Sequence, residues 1–231
     1  VKDSVNISRI STMMNFENSW ALRKIPLRQG KTFYTPHKVC YHKPSRSFIV
    51  AVYHSVLNTD PEMNRPDQSG GLPRFKEMHE IFLVDLLGSK TIVNHFPFEE
   101  NEHLLSLNTV DLALRPNSAE KAEIRTLISV GTATVLGEDE PCKGRVFVFD
   151  IITQRSDDNS VSLRIKHLID KVEKGPVSAV NSVQGSLIIA IGPKILIYNF
   201  ESEKELVGKA FFDTQIFVVS IKTLKYYIIV A

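Results

Sequence analysis

The sequence predicts an all-β fold, built from antiparallel four-stranded blades of an incomplete β-propeller. Short β-type runs separated by turn residues follow one another along most of the 231-residue chain. Several runs, such as 145–152, 186–191 and 215–221, are apolar on both faces of the expected strand. Strands of this kind belong to sheets that are covered on both sides.

The links between the runs decide between a propeller and a parallel α/β fold. Parallel strands need crossovers of about ten residues or more. From Val177 to Val230 the runs are joined instead by turns of two or three residues, at 184–185, 192–193, 201–203 and 222–223. Such short turns require antiparallel neighbours. A sandwich would leave one polar face on each strand, which these central strands lack.

The blades can be assigned in chain order. A first strand is expected at 20–27. The first blade, at about 36–98, holds a long polar loop with three prolines. The second blade, at about 103–172, contains the clearest alternation, in which every second residue of 161–169 is Val, Leu, Ile or His. The third blade is expected at 176–212.

Half a blade is expected at 213–231, and it finishes on the apolar run 226–231. Propellers close with about four to eight blades. The pattern indicates about three and a half, so we expect one partial propeller over 1–231 that belongs to a larger multi-propeller protein.

Composition excludes several classes of protein. Hydrophobic residues make up 43% of the chain and charged residues 23%, as in globular proteins. No apolar run reaches the ~18 residues that would span a bilayer, so no membrane association is expected. Two cysteines, Cys40 and Cys142, are too few for a disulfide scaffold or a four-cysteine zinc site. We expect buried free thiols in a reducing compartment.

Catalytic signatures are incomplete. His79-Glu80 begins an HExxH motif, but Leu83 takes the place of the second histidine. His37 and His42 are five apart, which puts them on opposite faces of a strand. The chain contains no nucleophile elbow, dinucleotide fingerprint or phosphate loop. We therefore expect no enzyme, no catalytic or metal-binding residue and no cofactor.

Other polar and aromatic residues are expected to have structural roles. His167 lies in an apolar strand face and should be packed. The carboxylates at 99–100 and 138–140 are predicted to be solvated and to lie in loops. The aromatic pairs Phe147/Phe149 and Phe211-Phe212 could stack on bases, but their strands favour core packing.

Positive charge is concentrated near the beginning of the sequence. The net charge is +2, whereas the first 45 residues hold eight Lys or Arg and two acidic residues. An aromatic ring beside basic side chains suits an interface with protein or RNA. The candidate contact patch comprises Trp20, Arg23, Lys24, Arg28, Lys31 and Lys38.

A string of short motifs resembles the CPSF-A superfamily, and within it the largest subunit of the cleavage and polyadenylation specificity factor. The basic strand 22–28 is what favours that subunit over its sister families. The resemblance runs in order from about Ile7 to the last residue, on the stretches LRKIPLR (22–28), TPHKVCYH (35–42), KGRVFVFD (143–150), KGPVSA (174–179), GPKI (192–195) and AFFDTQ (210–215).

This resemblance implies a piece of the third propeller, in the C-terminal region, of a nuclear three-propeller scaffold. Such a scaffold holds a WD-repeat subunit and a zinc-finger subunit that read the polyadenylation signal, so contact with pre-mRNA would be mostly indirect. Two alternatives remain open. One is an adaptor of the related damaged-DNA-binding (ubiquitin ligase) or splicing factor 3b type. The other is direct RNA contact through the basic patch.

Overall fold

The computed structural model describes residues 4–8, 22–29, 32–57, 75–85, 92–114, 123–135, 142–155, 161–203 and 205–231. Among them no helix is long and apolar enough to cross a bilayer. The strands are β1 (Ser4–Ser8), β2 (Leu22–Pro26), β3 (Arg28–Gln29), β4 (Thr32–Phe33), β5 (Thr35–His42), β6 (Ser47–Leu57), β7 (Phe75–Val84), β8 (Ile92–Pro97), β9 (Glu102–Leu114), β10 (Glu123–Thr134), β11 (Gly144–Arg155), β12 (Val161–Glu173), β13 (Val177–Val183), β14 (Ser186–Ile191), β15 (Lys194–Ser202), β16 (Glu205–Asp213), β17 (Ile221–Leu224) and β18 (Tyr227–Val230).

Three antiparallel four-stranded sheets dominate the fold. Sheet 1 has the order β5-β6-β7-β8, sheet 2 the order β9-β10-β11-β12 and sheet 3 the order β13-β14-β15-β16. A two-stranded piece, β17-β18, follows sheet 3 along the chain, and the pairs β1-β2 and β3-β4 precede sheet 1. The predicted fold class, antiparallel blades of an incomplete propeller, is confirmed.

The first strand of each sheet lies beside the first strand of the next sheet. β9 contacts β5 on one side and β13 on the other, and β13 also contacts β17. These four inner strands therefore follow one another around a common line, and each sheet extends outward from it. This is the arrangement of neighbouring propeller blades.

Strand β7 shows why the runs are apolar on both faces. Ile81 and Leu83 pack against sheet 2 in one core cluster. Phe82 and Val84 point the other way and pack with Leu27 in a second cluster. All four side chains of this run are buried. Because successive residues of a strand point to opposite faces, both faces must be apolar when both are covered.

The three sheets meet at two junctions. At the first junction, sheet 1 packs against sheet 2 through residues such as Ile49, Ile81 and Phe149. At the second junction, sheet 2 packs against sheet 3 through residues such as Leu112 and Leu187. Each fully buried side chain of this size contributes about 2 kcal/mol through loss of apolar surface to water.

A predicted turn also joins sheets. Gln184 and Gly185 have φ angles of 50° and 78°, as two-residue hairpins require. The Gly185 carbonyl oxygen accepts a hydrogen bond of 2.8 Å from the amide of Ala113 on β9. A Cβ on Gly185 would lie 2.6 Å from the Ala113 Cβ. Glycine is therefore required both by the turn and by the close approach of β9.

One packing prediction is half wrong. Phe147 and Phe149 are buried as expected, but Phe211 and Phe212 are 70% and 66% exposed. The latter pair lies on β16, the outermost strand of sheet 3, which is covered less than the inner strands. The two cysteines are free thiols, but both are half-buried rather than buried as expected.

Candidate functional site

The predicted basic patch is described only in part. Trp20 and Lys31 lie outside the described residues. Arg23 and Lys24 fall on β2, in register with β1, and Arg28 falls on β3. Lys38 lies exposed on β5. That all six side chains share one surface stays a prediction.

Lys38 lies at a polar cleft between the inner strands. The walls of the cleft come from all four of them, and Lys222 on β17 is a second lysine that lines it. The other polar lining side chains are Ser106, Asn108, Ser178 and Ser220.

Polar side chains of the inner strands donate hydrogen bonds to the backbone of the next inner strand or, for Ser178, of the segment that leads into β17. These bonds satisfy buried carbonyl groups and join neighbouring sheets at the inner edge, where each contributes about 1 kcal/mol. They run from Ser106 Oγ to Val177 O (3.1 Å), Asn108 Nδ2 to Val180 O (3.3 Å), Ser178 Oγ to Val218 O (2.5 Å) and Asn181 Nδ2 to Ile221 O (3.1 Å).

An ion network links sheet 2 to sheet 3 at the second junction. Arg125 Nη1 donates to Glu203 Oε1 at 2.6 Å, and its Nη2 donates to Asp150 Oδ2 at 2.5 Å. Lys166 Nζ donates to the second oxygen of Glu203 at 3.0 Å. Hydrogen bonds from Arg125, then from Lys166, lower the pKa of the Glu203 carboxyl. The network therefore holds Glu203 in its charged form.

A buried tyrosine completes the second junction. The Tyr198 hydroxyl donates to Glu173 Oε1 at 2.7 Å, and both residues are buried. Lys171 Nζ lies 4.5 Å from the centre of the Tyr198 ring. Burial, and then the hydrogen bond to Glu173, raises the pKa of Tyr198. The hydroxyl therefore stays protonated and can donate.

Within sheet 2, Glu102 is a buried carboxylate with several partners. It is 1% exposed. Arg145 approaches it with two guanidinium nitrogens, one of them Nε at 2.8 Å. Thr132 Oγ1 donates to the same carboxylate at 2.6 Å. Glu99, predicted to be solvated, is mostly exposed but also pairs with Arg145 at 2.9 Å.

A histidine cluster lies at the first junction and comprises Glu77, His79 and His103. Glu77 and His79 are two residues apart on β7, so they share a face. His103 comes from β9 of sheet 2. His79 Nε2 lies 3.7 Å from Glu77 Oε2, and His103 Nδ1 lies 4.0 Å from the same oxygen. One ligand atom from each residue lies within 4.8 Å of the others.

His79 is the buried member of this cluster. Its residue surface is 5% exposed, and neither ring nitrogen has a hydrogen-bond partner among the described residues. Burial, followed by repulsion from His103 and His37, lowers the pKa of His79 to about 4. An unpaired buried polar group costs about 1–3 kcal/mol. His79 therefore lowers the stability of the junction unless a ligand occupies its nitrogens.

Glu80, the next residue, points to the opposite face and is surrounded by partners. His95 Nδ1 lies 2.9 Å from Glu80 Oε2, and His54 Nδ1 lies 3.7 Å from Oε1. Burial, then the charge of Glu80 and a hydrogen bond to it, raises the pKa of Tyr34. The incomplete HExxH motif therefore splits between two faces of one strand.

Sequence reasoning missed the histidine cluster because it considered spacing along the chain. The Glu77-x-His79 pair is a signal for two ligands on one strand face. The third residue, His103, lies 24 positions later and joins them only because β9 packs beside β7. His167, predicted to be packed, stacks on Phe96 at 5.9 Å but keeps 36% of its side chain exposed.

Residues 78–231 match the protein family described as the CPSF A subunit region. The chain belongs to the CPSF A subunit family. The match includes sheets 2 and 3 and part of sheet 1, and therefore covers the second junction completely. Of the histidine cluster it includes His79 and His103.

Curated relatives carry names from the same family. The chain is 31% identical to the cleavage and polyadenylation specificity factor subunit 1 of Arabidopsis thaliana, with 97% of the chain covered. It is 27% identical to the protein of the same name from Drosophila melanogaster over 98% of the chain, and 28% identical to protein cft1 of Aspergillus fumigatus over 97%. The chain spans 16% of the length of each of these CPSF A relatives.

Proposed function

We propose that the chain is a non-catalytic scaffold segment of the nuclear pre-mRNA 3′-end cleavage and polyadenylation complex. The observation that carries this proposal is the family match over 78–231, together with relatives that are named as subunits of the cleavage and polyadenylation specificity factor. Its partners are then WD-repeat and zinc-finger subunits that recognise the polyadenylation signal in RNA.

The fold suits such a role. Three sheets are joined at their inner edges by side chain-to-backbone hydrogen bonds and along their faces by apolar clusters. A stiff frame of this kind holds surface loops in constant relative positions, which is what docking of several partners needs.

The pair nearest to a catalytic arrangement among the described residues supports a structural role. Ser45 Oγ lies 2.7 Å from His42 Nδ1, as a nucleophile lies beside its base. The second ring nitrogen of His42 donates instead to the backbone carbonyl of Thr126 at 3.0 Å. A backbone carbonyl carries no charge to stabilise an imidazolium. This pair therefore anchors the turn after β5 to sheet 2.

The proposal is tested by affinity purification of the tagged full-length protein from nuclear extract, followed by mass spectrometry. We expect the other polyadenylation factors, including the WD-repeat and zinc-finger subunits. Recovery of cullin-ligase components or of splicing factor 3b in their place would show that the chain is an adaptor of one of the sister types.

Direct RNA contact is the second candidate, favoured by the excess of positive charge in residues 1–45. It assigns contact with RNA phosphates to the basic patch. The test uses the double variant Lys24→Glu plus Arg28→Glu in the full complex. The control is a variant in which Lys194 and Lys209, on sheet 3, are replaced by glutamate. Each lost phosphate contact should reduce the slope of log affinity against log salt by about 0.7. Unchanged affinity in the first variant would exclude direct contact by this patch.

A further inference from the structure

We propose that Glu77, His79 and His103 form a binding site for Zn²⁺ that joins sheet 1 to sheet 2. Two imidazoles and one carboxylate are a ligand set that zinc accepts. Ca²⁺ and Mg²⁺ prefer oxygen ligands alone, so the two histidines select a transition metal. The site is independent of the proposed scaffold role.

The separations in the cluster are close to those that a zinc ion requires. Ligand atoms about 2.0–2.1 Å from a tetrahedral ion lie about 3.3–3.5 Å from one another. The two separations from Glu77 Oε2 are 3.7 Å to His79 and 4.0 Å to His103, and all lie within 4.8 Å. Binding therefore needs a contraction of about 0.2–1.5 Å, which side-chain rotation supplies.

The two side chains that must rotate for this contraction are the exposed ones. The Glu77 side chain is 46% exposed and the His103 side chain 35% exposed, so both can turn toward the ion. The His79 side chain is 7% exposed and is held between sheets. One fixed imidazole and two adjustable ligands leave the fourth position to water from the side of Glu77.

The lack of partners on His79 is the observation that points to a ligand. Both of its ring nitrogens are buried and without a hydrogen bond in the described structure. His42, which is equally buried, uses both of its nitrogens, one toward Ser45 and one toward the Thr126 carbonyl. Of the two histidines that are buried as whole residues in the described structure, His42 and His79, only His79 has neither nitrogen hydrogen-bonded, which is uncommon in native proteins. A metal ion bound to Nε2 supplies one of the two missing partners.

The test measures zinc binding to the full-length protein and to its His103→Gln variant. Each protein is stripped with a chelator and titrated with Zn²⁺ against a chromophoric competitor. We expect the variant to bind one equivalent fewer in the high-affinity range, with affinity at this site reduced about 100-fold. Glu77→Gln is the second variant and should lose the same equivalent. Counting the difference between proteins cancels any zinc that binds elsewhere.

The matched control is His95→Gln. Like His103, His95 is a partly exposed histidine, but it lies on β8 of sheet 1 and pairs with Glu80 on the other face of β7. This variant should keep the full number of zinc equivalents. Substitution with Co²⁺ gives a second readout, because a tetrahedral site produces visible absorption that His103→Gln should remove. Equal zinc binding by the wild type, His103→Gln and Glu77→Gln would overturn the proposal, as would equal loss in His95→Gln.

Discussion

The first and second junctions use similar apolar strands but differ in how their buried ionisable side chains are paired. At the second junction the Tyr198 hydroxyl, the Arg125 guanidinium and the Ser106 hydroxyl all have partners on the neighbouring strands or sheet. At the first junction His42 is paired across the sheets, whereas His79 has no hydrogen bond among the described residues.

This difference separates polar groups that stabilise the fold from polar groups that are available for a ligand. When a buried polar group has a partner, the hydrogen bond offsets the free energy lost on leaving water. The bond also fixes the register between the sheets. A buried group without one costs stability and is uncommon in native structures. The second junction leaves one hydroxyl without a partner among the described residues, Ser129 Oγ, which lies on the same face of β10 as Leu127. The first leaves both nitrogens of an imidazole, which can bind an ion.

The largest effect should come from crowding the second junction. A Cβ at Gly131 on β10 would lie 2.3 Å from Ser106 Oγ and 2.6 Å from the Val177 carbonyl oxygen. Gly131→Val should lower the local free energy of opening by about 3 kcal/mol, because β9 and β13 must move apart. Hydrogen exchange of peptides from β9 and β13 measures this. Gly208→Ala, whose Cβ would meet nothing closer than 3.9 Å, should leave exchange unchanged.

A smaller loss is expected from removing a single partner at the same junction. Tyr198→Phe deletes the donor to Glu173 and leaves a buried carboxylate with one fewer hydrogen bond. Hydrogen exchange of β12 and β15 should show that the free energy of local opening falls by about 1–2 kcal/mol. Tyr227→Phe is the control, because Tyr227 is 73% exposed. An unchanged Tyr198→Phe protein would mean that the hydroxyl bond is not part of the junction.

The smallest effect is expected at the first junction. With a chelator present, His79→Leu removes two unpaired ring nitrogens and keeps a similar volume. The free energy of opening of β7, measured by hydrogen exchange, should therefore fall by less than about 0.5 kcal/mol or increase. His42→Leu removes two hydrogen bonds at the same junction and should cost about 2 kcal/mol. If both substitutions cost the same, the His79 nitrogens are as well paired as those of His42, and the first junction holds no unpaired imidazole.

The strands and turns of this fold are readable from short stretches of sequence. In the run 186–191 five of six residues are buried, as a strand apolar on both faces predicts. The turn at Gln184 and Gly185 adopts the positive φ angles that a two-residue hairpin requires and that Gly185 favours. Phe211 and Phe212 are not buried, although their local sequence predicts it. Their strand has core composition, but its position at the outer end of sheet 3 leaves both rings exposed.

The histidine cluster also depends partly on local sequence and partly on how the sheets pack. The chain itself determined that Glu77 and His79 share a face, because strand geometry alternates side chains regardless of what surrounds them. Only the packing of β9 beside β7 decided that His103 joins them and that His79 is cut off from water. Alternation and turn formation depend on neighbouring residues, whereas burial and pairing depend on which sheets come together, and a local stretch of sequence does not contain that information.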